Sequence, residues 1–256
     1  HKGGSQPKIS EDEKYILFFN GEIYNFKDIK KDLENENIVI NTESEAEVLL
    51  QAFIKWGVSA IKKLNGMFSI CFIDKNNQNI KLIRDQFGIK PIYYKINKEN
   101  IVFSSEQKAI KNKNKINENS LSDYLNFQFY LSNETLIEDL YEVSPGTYVE
   151  IDLSNLKIKE ERYFYLNFAN DVAEYSTIDD LEKALNDSVK RQINADVKVG
   201  AHLSGGIDSS LISAITSKYL TNLPAYHGYF PKADPKYSEL DFAIEVSKVN
   251  DIELIK

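Results

Sequence analysis

The seven residues Ser204–Ser210, which read Ser-Gly-Gly-Ile-Asp-Ser-Ser, carry the strongest chemical signal in the sequence. They follow an apolar run and open a segment with helical periodicity, so we expect a strand-to-helix turn. Adjacent glycines let a ligand approach the main chain, and a helix N-terminus presents unpaired N–H groups to an anion. Asp208 adds a carboxylate suited to Mg²⁺ beside phosphates. A serine-capped turn without a ligand is the structural alternative, and a Walker A loop is excluded because no Gly-Lys-Ser/Thr follows.

A second candidate, Asn20–Asn25, reads Asn-Gly-Glu-Ile-Tyr-Asn and directly follows the apolar run Tyr15–Phe19. On its own, Asn-Gly indicates first of all a hairpin turn. Three further segments favour a functional role for Asn20–Asn25 instead. These segments are Arg84–Tyr94, Ser104–Ile110 and Val143–Gly146. Together with the glycine-rich loop, these segments resemble in type and order the glutamine-hydrolysing asparagine synthetase family. Its members join a class II glutamine amidotransferase domain to an ATP pyrophosphatase domain. The loop alone is similar to that of all ATP pyrophosphatases. It therefore does not distinguish among asparagine, argininosuccinate, guanylate and NAD synthetases.

For the amidotransferase half, the resemblance implies that a thiol at the mature N-terminus attacks glutamine and that an oxyanion hole stabilises the intermediate. The oxyanion hole would consist of the Asn20 side chain and the Gly21 backbone N–H, while Glu22 and Glu45 would bind glutamine. The family usually has Asp where this chain has Glu45. The family's Met-Cys-Gly start is not found in this chain, so we expect the catalytic cysteine to be missing. Cys71 lies on an alternating apolar pattern and is expected to be a core residue.

For the synthetase half, the resemblance implies that one set of residues binds ATP and its pyrophosphate. The set comprises Leu203, Ser204, Gly205, Gly206, Ile207, Asp208, Ser209, Ser210 and Gly228. Asp208 would act through Mg²⁺. The implied reaction converts aspartate, glutamine, ATP and water to asparagine, glutamate, AMP and pyrophosphate. Two alternatives remain open: a relative that amidates a sugar acid, a peptide or a lactam precursor, and an inactive paralogue that only binds nucleotide.

The elements that position these residues divide into two patterns. In the first, short strands are predicted at Tyr15–Phe19, Met67–Ile73, Ile80–Ile83, Ile89–Ile96, Ile101–Phe103 and Thr147–Ile151, with helices at Phe26–Leu33 and Glu45–Trp56. In the second, strands at Val197–Leu203, Ala225–Phe230 and from Ile252 alternate with helices at Ile178–Ile193, Ser209–Tyr219 and Ser238–Val249, the first of them capped by Ser176 or Thr177. The first pattern predicts mainly antiparallel sheet, and the second a doubly wound parallel sheet. We therefore expect an incomplete αββα sandwich over residues 1–165, with the four layers implied by the resemblance, and an incomplete ATP pyrophosphatase domain over residues 166–256.

Composition narrows the class of protein. Of the 256 residues, 42% are hydrophobic and 27% charged, which is typical of an ordinary globular protein. The net charge of −8 argues against nucleic-acid and anionic-membrane partners, and the small-molecule substrates glutamine, aspartate and ATP are expected instead. One cysteine and no long apolar run favour a reducing, cytoplasmic location. A homodimer is a possible assembly. His202 and His227 are expected in the core, because no His/Cys cluster indicates a metal site.

Overall fold

The computed structural model describes residues 5–42, 44–97, 100–110, 115–166, 177–195, 197–229 and 238–256. The chain forms two compact units, residues 1–168 and residues 169–256. Among the helices in these described ranges, none combines the length and the hydropathy needed to cross a membrane.

The first unit is built on antiparallel sheets. Its strands are β1 (Lys8–Ile9), β2 (Tyr15–Ile23), β3 (Gly66–Asp74), β4 (Asn79–Arg84), β5 (Tyr93–Ile96), β6 (Ile101–Ser104), β7 (Tyr141–Glu142), β8 (Thr147–Asp152) and β9 (Ile158–Arg162). Its helices are α1 (Phe26–Asn35), α2 (Glu45–Trp56) and α3 (Glu118–Phe127), with short 3₁₀ helices at Gly57–Lys63 and Gln107–Ala109. The larger sheet has the order β1-β2-β3-β4-β8-β9 and the smaller one the order β6-β5-β7.

Alternation along β2, β3 and β4 divides the apolar side chains between two cores. Leu17, Phe68 and Ile70 pack against α1 and α2 on one face of the larger sheet. Cys71, Leu82 and their neighbours on the other face pack against the smaller sheet. Helices, larger sheet and smaller sheet are three layers of the expected sandwich, and the prediction of an incomplete αββα fold is confirmed.

The second unit carries the predicted parallel sheet. Its elements are α4 (Ile178–Gln192), β10 (Ala201–His202), α5 (Ile207–Ser217), β11 (Pro224–Tyr226), α6 (Leu240–Val249) and β12 (Glu253–Ile255). The strands pair in parallel in the order β10-β11-β12. Thr177 accepts the Asp180 backbone N–H and forms a capping box at the start of α4, so Thr177 is the predicted cap. Ser176, Phe230 and the rest of residues 230–237 lie outside the described residues.

Three predicted strands are wrong in extent. The strand expected at Ala225–Phe230 runs from Pro224 to Tyr226, so it ends before His227. The strand expected at Ile89–Ile96 begins only at Tyr93, because the backbone N–H groups of Ile89 and Lys90 donate to the Asp85 carboxylate instead of to a sheet. The strand expected at Val197–Leu203 is reduced to Ala201–His202. Its partner strand begins at Pro224, which has no N–H to offer, so pairing starts one residue later.

The hairpin-turn alternative for Asn20-Gly21 is also wrong. Both residues lie within β2, which pairs with β3 without interruption from Tyr15 to Ile23. The helix α3 and the strand β9 were not predicted. All five residues of β9 are exposed, so the strand lacks the apolar alternation that identifies a half-buried strand.

Candidate active-site residues in the two units

Gly21 occupies a position that no other residue fits. Its φ is +147°, and a Cβ at this position would lie 2.0 Å from the Met67 carbonyl oxygen and 2.8 Å from the Phe68 Cα. Gly21 pairs with Phe68 in the sheet, so the main chains of β2 and β3 are in contact here. Because Gly21 has no side chain, the main chain of β3 can lie directly against it and fix its backbone.

Asn20 precedes Gly21, and its side chain lies on the face of β2 that packs against the smaller sheet. Its amide nitrogen donates to the Ser105 hydroxyl at 3.1 Å, which links β2 to the end of β6. The side chain borders a cavity of about 220 Å³. The cavity is lined by Gln6, Phe18, Phe19, Asn20, Ser69, Cys71, Ile92, Phe103, Ser104 and Ser105. An exposed amide at the edge of a cavity between two sheets can meet a small ligand.

Cys71 lines the same cavity but is a core residue, as predicted. It is 1% exposed and lies in the middle of β3. Burial raises the pKa of the thiol far above its usual value, because the thiolate would lose its hydration. Since the thiolate is the reactive form of cysteine, Cys71 is unsuited to nucleophilic attack.

Glu22 and Glu45 lie near one another around the end of β2. Glu45 is the first residue of α2, and its carboxylate accepts the Ile23 backbone N–H at 3.2 Å. The pKa of the Tyr24 phenol is raised, first by burial and then by neighbouring negative charges. Those charges belong to Glu22, Asp85 and Glu45. A group of carboxylates at this place favours a cationic group on a ligand.

The glycine-rich loop of the second unit is held by its own serines. The Ser204 and Ser209 hydroxyls lie 2.8 Å apart, and Ser209 also accepts the Ser204 backbone N–H at 3.2 Å. Gly206 donates its N–H to the Ser204 hydroxyl at 3.2 Å and is the N-cap of α5. Gly205 has φ +99°, and a Cβ there would lie 2.5 Å from the Glu239 carbonyl oxygen. The loop is therefore preformed.

Two features of this loop suit an anion. The N-cap of α5 is Gly206, which has no side chain to cap the helix, and no side chain among the described residues accepts the N–H groups of Ile207 or Asp208. The Ser210 hydroxyl is buried without a hydrogen-bond partner among the described residues. Asp208 is exposed in the first turn of the helix, where its carboxylate can reach a metal ion bound to phosphates. Among the described residues, no group of three or more His, Cys, Asp or Glu side chains forms a metal site by itself.

Leu203 and Gly228 lie at the ends of adjacent strands. Leu203 is fully buried, and its carbonyl oxygen lies 2.8 Å from the His227 Nδ1. His227 is buried as expected, but His202 is exposed, so the prediction that it belongs to the core is wrong. Among the described residues, none lies within 4 Å of a Cβ built on Gly228, so this part of the chain leaves space beside the strand end. Ligands of open α/β sheets bind at this carboxyl edge.

Two family models match different parts of the chain. The glutamine amidotransferase domain family matches residues 1–164, and the asparagine synthase family matches residues 180–255. Asparagine synthetase [glutamine-hydrolyzing] 1 of Bacillus subtilis is 35% identical over 99% of this chain and 40% of that protein. A putative asparagine synthetase [glutamine-hydrolyzing] of Mycobacterium tuberculosis is 31% identical over 91% of this chain and 37% of that protein. The chain thus spans 40% or less of the length of these two relatives. A solved glutamine phosphoribosylpyrophosphate amidotransferase from B. subtilis, with 17% identity over 98% of this chain and 48% of that one, has a TM-score of 0.44.

Proposed function

Because the chain belongs to the glutamine amidotransferase domain family, we propose that the complete protein is a glutamine-hydrolysing asparagine synthetase. The observation that carries the proposal is the presence in one chain of a fixed Asn20-Gly21 strand and a preformed anion loop at Ser204–Ser210. The same order occurs in relatives that are named as asparagine synthetases and match nearly the whole chain. We assign the glutaminase to residues 1–165 and the start of the synthetase to residues 166–256.

In the first unit, glutamine binds beside the end of β2. The Gly21 N–H and the Asn20 amide stabilise the oxyanion that forms when a thiol attacks the carboxamide. The carboxylates of Glu22 and Glu45 hold the α-ammonium and orient the substrate. Cys71 is not the attacking thiol, because it is buried and its pKa is raised. Ammonia released here is the nitrogen donor for the second unit.

In the second unit, the loop binds the phosphates of ATP. The N–H groups at the start of α5 donate to phosphate oxygens. We assign the Ser210 hydroxyl to the same site, because it has no hydrogen-bond partner among the described residues. Asp208 holds Mg²⁺, which when bound neutralises phosphate charge and makes pyrophosphate a better leaving group. Leu203 and the open backbone at Gly228 border the adenosine. The acceptor is aspartate, and a homodimer in the cytoplasm is the expected assembly and location.

The test compares three rates in the complete protein with Asp208→Asn. Synthesis with glutamine and synthesis with ammonia should both fall at least about tenfold, because both need the same activation of the acceptor by ATP. Glutamine hydrolysis should remain near the wild-type rate, since Asp208 belongs to the other unit. Asp179→Asn is the matched control, because Asp179 is also an exposed acidic residue in the first turn of a helix.

The pattern of rates decides between the alternatives. AMP formation that depends on aspartate supports the asparagine synthetase, whereas AMP formation only with another carboxylate identifies another acceptor. Nucleotide binding without any turnover of the wild-type protein indicates the inactive paralogue. Unchanged AMP formation in Asp208→Asn contradicts the role of the loop.

A further inference from the structure

Asp85 has a buried carboxylate that four backbone N–H groups surround. The residue is 1% exposed. Its Oδ1 accepts the N–H groups of Phe87 at 3.1 Å and Ile89 at 3.0 Å, and its Oδ2 accepts those of Phe68 at 3.2 Å and Lys90 at 2.9 Å. A carboxylate that accepts several backbone N–H groups keeps one position, because hydrogen bonds to a charged group are stronger than those between neutral groups.

One of these donors lies in the strand next to the proposed oxyanion hole. The Asp85 backbone N–H donates to the Phe68 carbonyl oxygen at 2.9 Å, while the Asp85 carboxylate accepts the Phe68 N–H. Asp85 thus satisfies both main-chain groups of Phe68. On the other side, Phe68 is the sheet partner of Gly21, whose missing Cβ leaves its backbone against Met67 and Phe68. A shift of the Asp85 carboxylate would therefore move Phe68, and Phe68 would in turn move the backbone of Gly21.

The same carboxylate fixes the opposite wall of the cavity at Asn20. By holding Ile89 and Lys90, it sets the path of the loop that leads to Ile92, whose side chain lines that cavity. The Ile92 carbonyl oxygen then accepts the Val143 N–H at 3.0 Å. Asp85 joins the two sides of the cavity, although its own side chain does not line it.

We propose that Asp85 is a positioning residue of the glutaminase, which holds the Gly21 N–H where the oxyanion forms. The inference rests on the proposed function. Oxyanion donors act only when they stand at hydrogen-bond distance from the charge that develops in the transition state. A displaced donor therefore lowers kcat more than it raises KM, because the ground-state amide depends less on that contact.

The experiment replaces Asp85 in the complete protein and measures glutamine hydrolysis per active site. In Asp85→Asn, an NH₂ group replaces one oxygen and faces two backbone donors. Asp85→Glu keeps the charge and both oxygens but moves them by one methylene, so it provides a folded variant if the first fails to fold. Active sites are counted with a glutamine-like reagent that alkylates the catalytic thiol, which corrects for unfolded protein.

The control is Asp74→Asn. Asp74 is 7% exposed at the far end of β3 and accepts two hydrogen bonds from Asn77, at 3.0 Å from its backbone and 2.7 Å from its amide. We expect kcat to fall about 10- to 100-fold in the Asp85 variants with a KM change below about threefold, since losing a whole oxyanion donor costs about 10²–10³. Asp74→Asn should lower Tm and leave kcat per active site unchanged.

The outcomes separate the inference from the function on which it rests. Wild-type kcat per active site in both Asp85 variants overturns the positioning role alone. An equal loss of kcat in Asp74→Asn also overturns it, because general loosening of β3 then explains both results. A wild-type protein without glutaminase activity overturns the proposed function and, with it, the inference.

Discussion

Gly21→Ala is the sharpest perturbation of the first unit. An added Cβ would lie 2.0 Å from the Met67 carbonyl oxygen, which is 1.4 Å short of the 3.4 Å at which ordinary contact begins. The obstacle is main chain on a paired strand, so β2 and β3 must separate. A φ that only glycine adopts readily costs about 1–3 kcal/mol, and overpacking adds about 1–3 kcal/mol. We expect a loss of about 4 kcal/mol in the free energy of unfolding, which lowers the Tm of this unit by roughly 8–16 °C.

Gly57→Ala is the matched control, because it isolates the backbone conformation from the clash. Gly57 has φ +57°, and no described residue lies within 4 Å of its missing Cβ. Its substitution should cost about 1–3 kcal/mol, or roughly 2–12 °C in Tm. Thermal unfolding and glutamine hydrolysis of both variants are measured in the complete protein. Glutaminase kcat should fall by about 10²–10³ in Gly21→Ala alone, because the donor moves away from the oxyanion. If the Tm of the two variants agrees within about 2 °C, the contact between the two main chains is not what fixes Gly21.

Two further predictions concern charge and reactivity near the same strand. Glu45→Gln should raise the KM for glutamine about 10- to 100-fold, because it removes a charge from the proposed ammonium site. Ammonia-dependent synthesis should stay unchanged. An unchanged KM would mean that Glu45 accepts the Ile23 N–H without binding glutamine. Cys71 should resist alkylation up to pH 9 in the folded protein, because burial raises its pKa and the folded state keeps the proton that the unfolded thiol loses near about pH 8.5. Mass spectrometry of native and denatured protein measures this, and rapid native alkylation at Cys71 contradicts its burial.

The elements with a clear apolar period could be predicted closely. The helix α2 has the predicted bounds Glu45–Trp56, because its buried residues recur at helical spacing and Gly57 ends it. The alternation of helices and strands after Thr177 predicted the parallel pairing of β10, β11 and β12. Burial of Cys71 followed from the alternating pattern of β3. In each case the signal lies within the element itself.

What could not be predicted depends on contacts between distant parts of the chain. The apolar run from Ile89 to Ile92 reads as a strand, but the carboxylate of Asp85 accepts the N–H groups that a sheet would need. Asn20-Gly21 reads as a turn, but β3 pairs along it 45 or more residues away in sequence. Asp85 itself gave no sign of its role, since only the fold brings Phe68 beside it.

The structure distinguishes Gly205 from Gly206, which the motif read alone treats together. Sequence reasoning assigned close ligand approach to Gly205 and Gly206 together. At Gly205, however, the space of a Cβ is filled by the main chain at the start of α6, with the Glu239 carbonyl oxygen at 2.5 Å. At Gly206 the one neighbour among the described residues is the Ser204 hydroxyl at 3.4 Å, which is ordinary contact. Packing of α6 therefore requires the first glycine, and access to the helix N-terminus depends on the second. Gly21 belongs with Gly205, because in both units a neighbouring main chain holds the glycine and thereby fixes the backbone beside the proposed anion site.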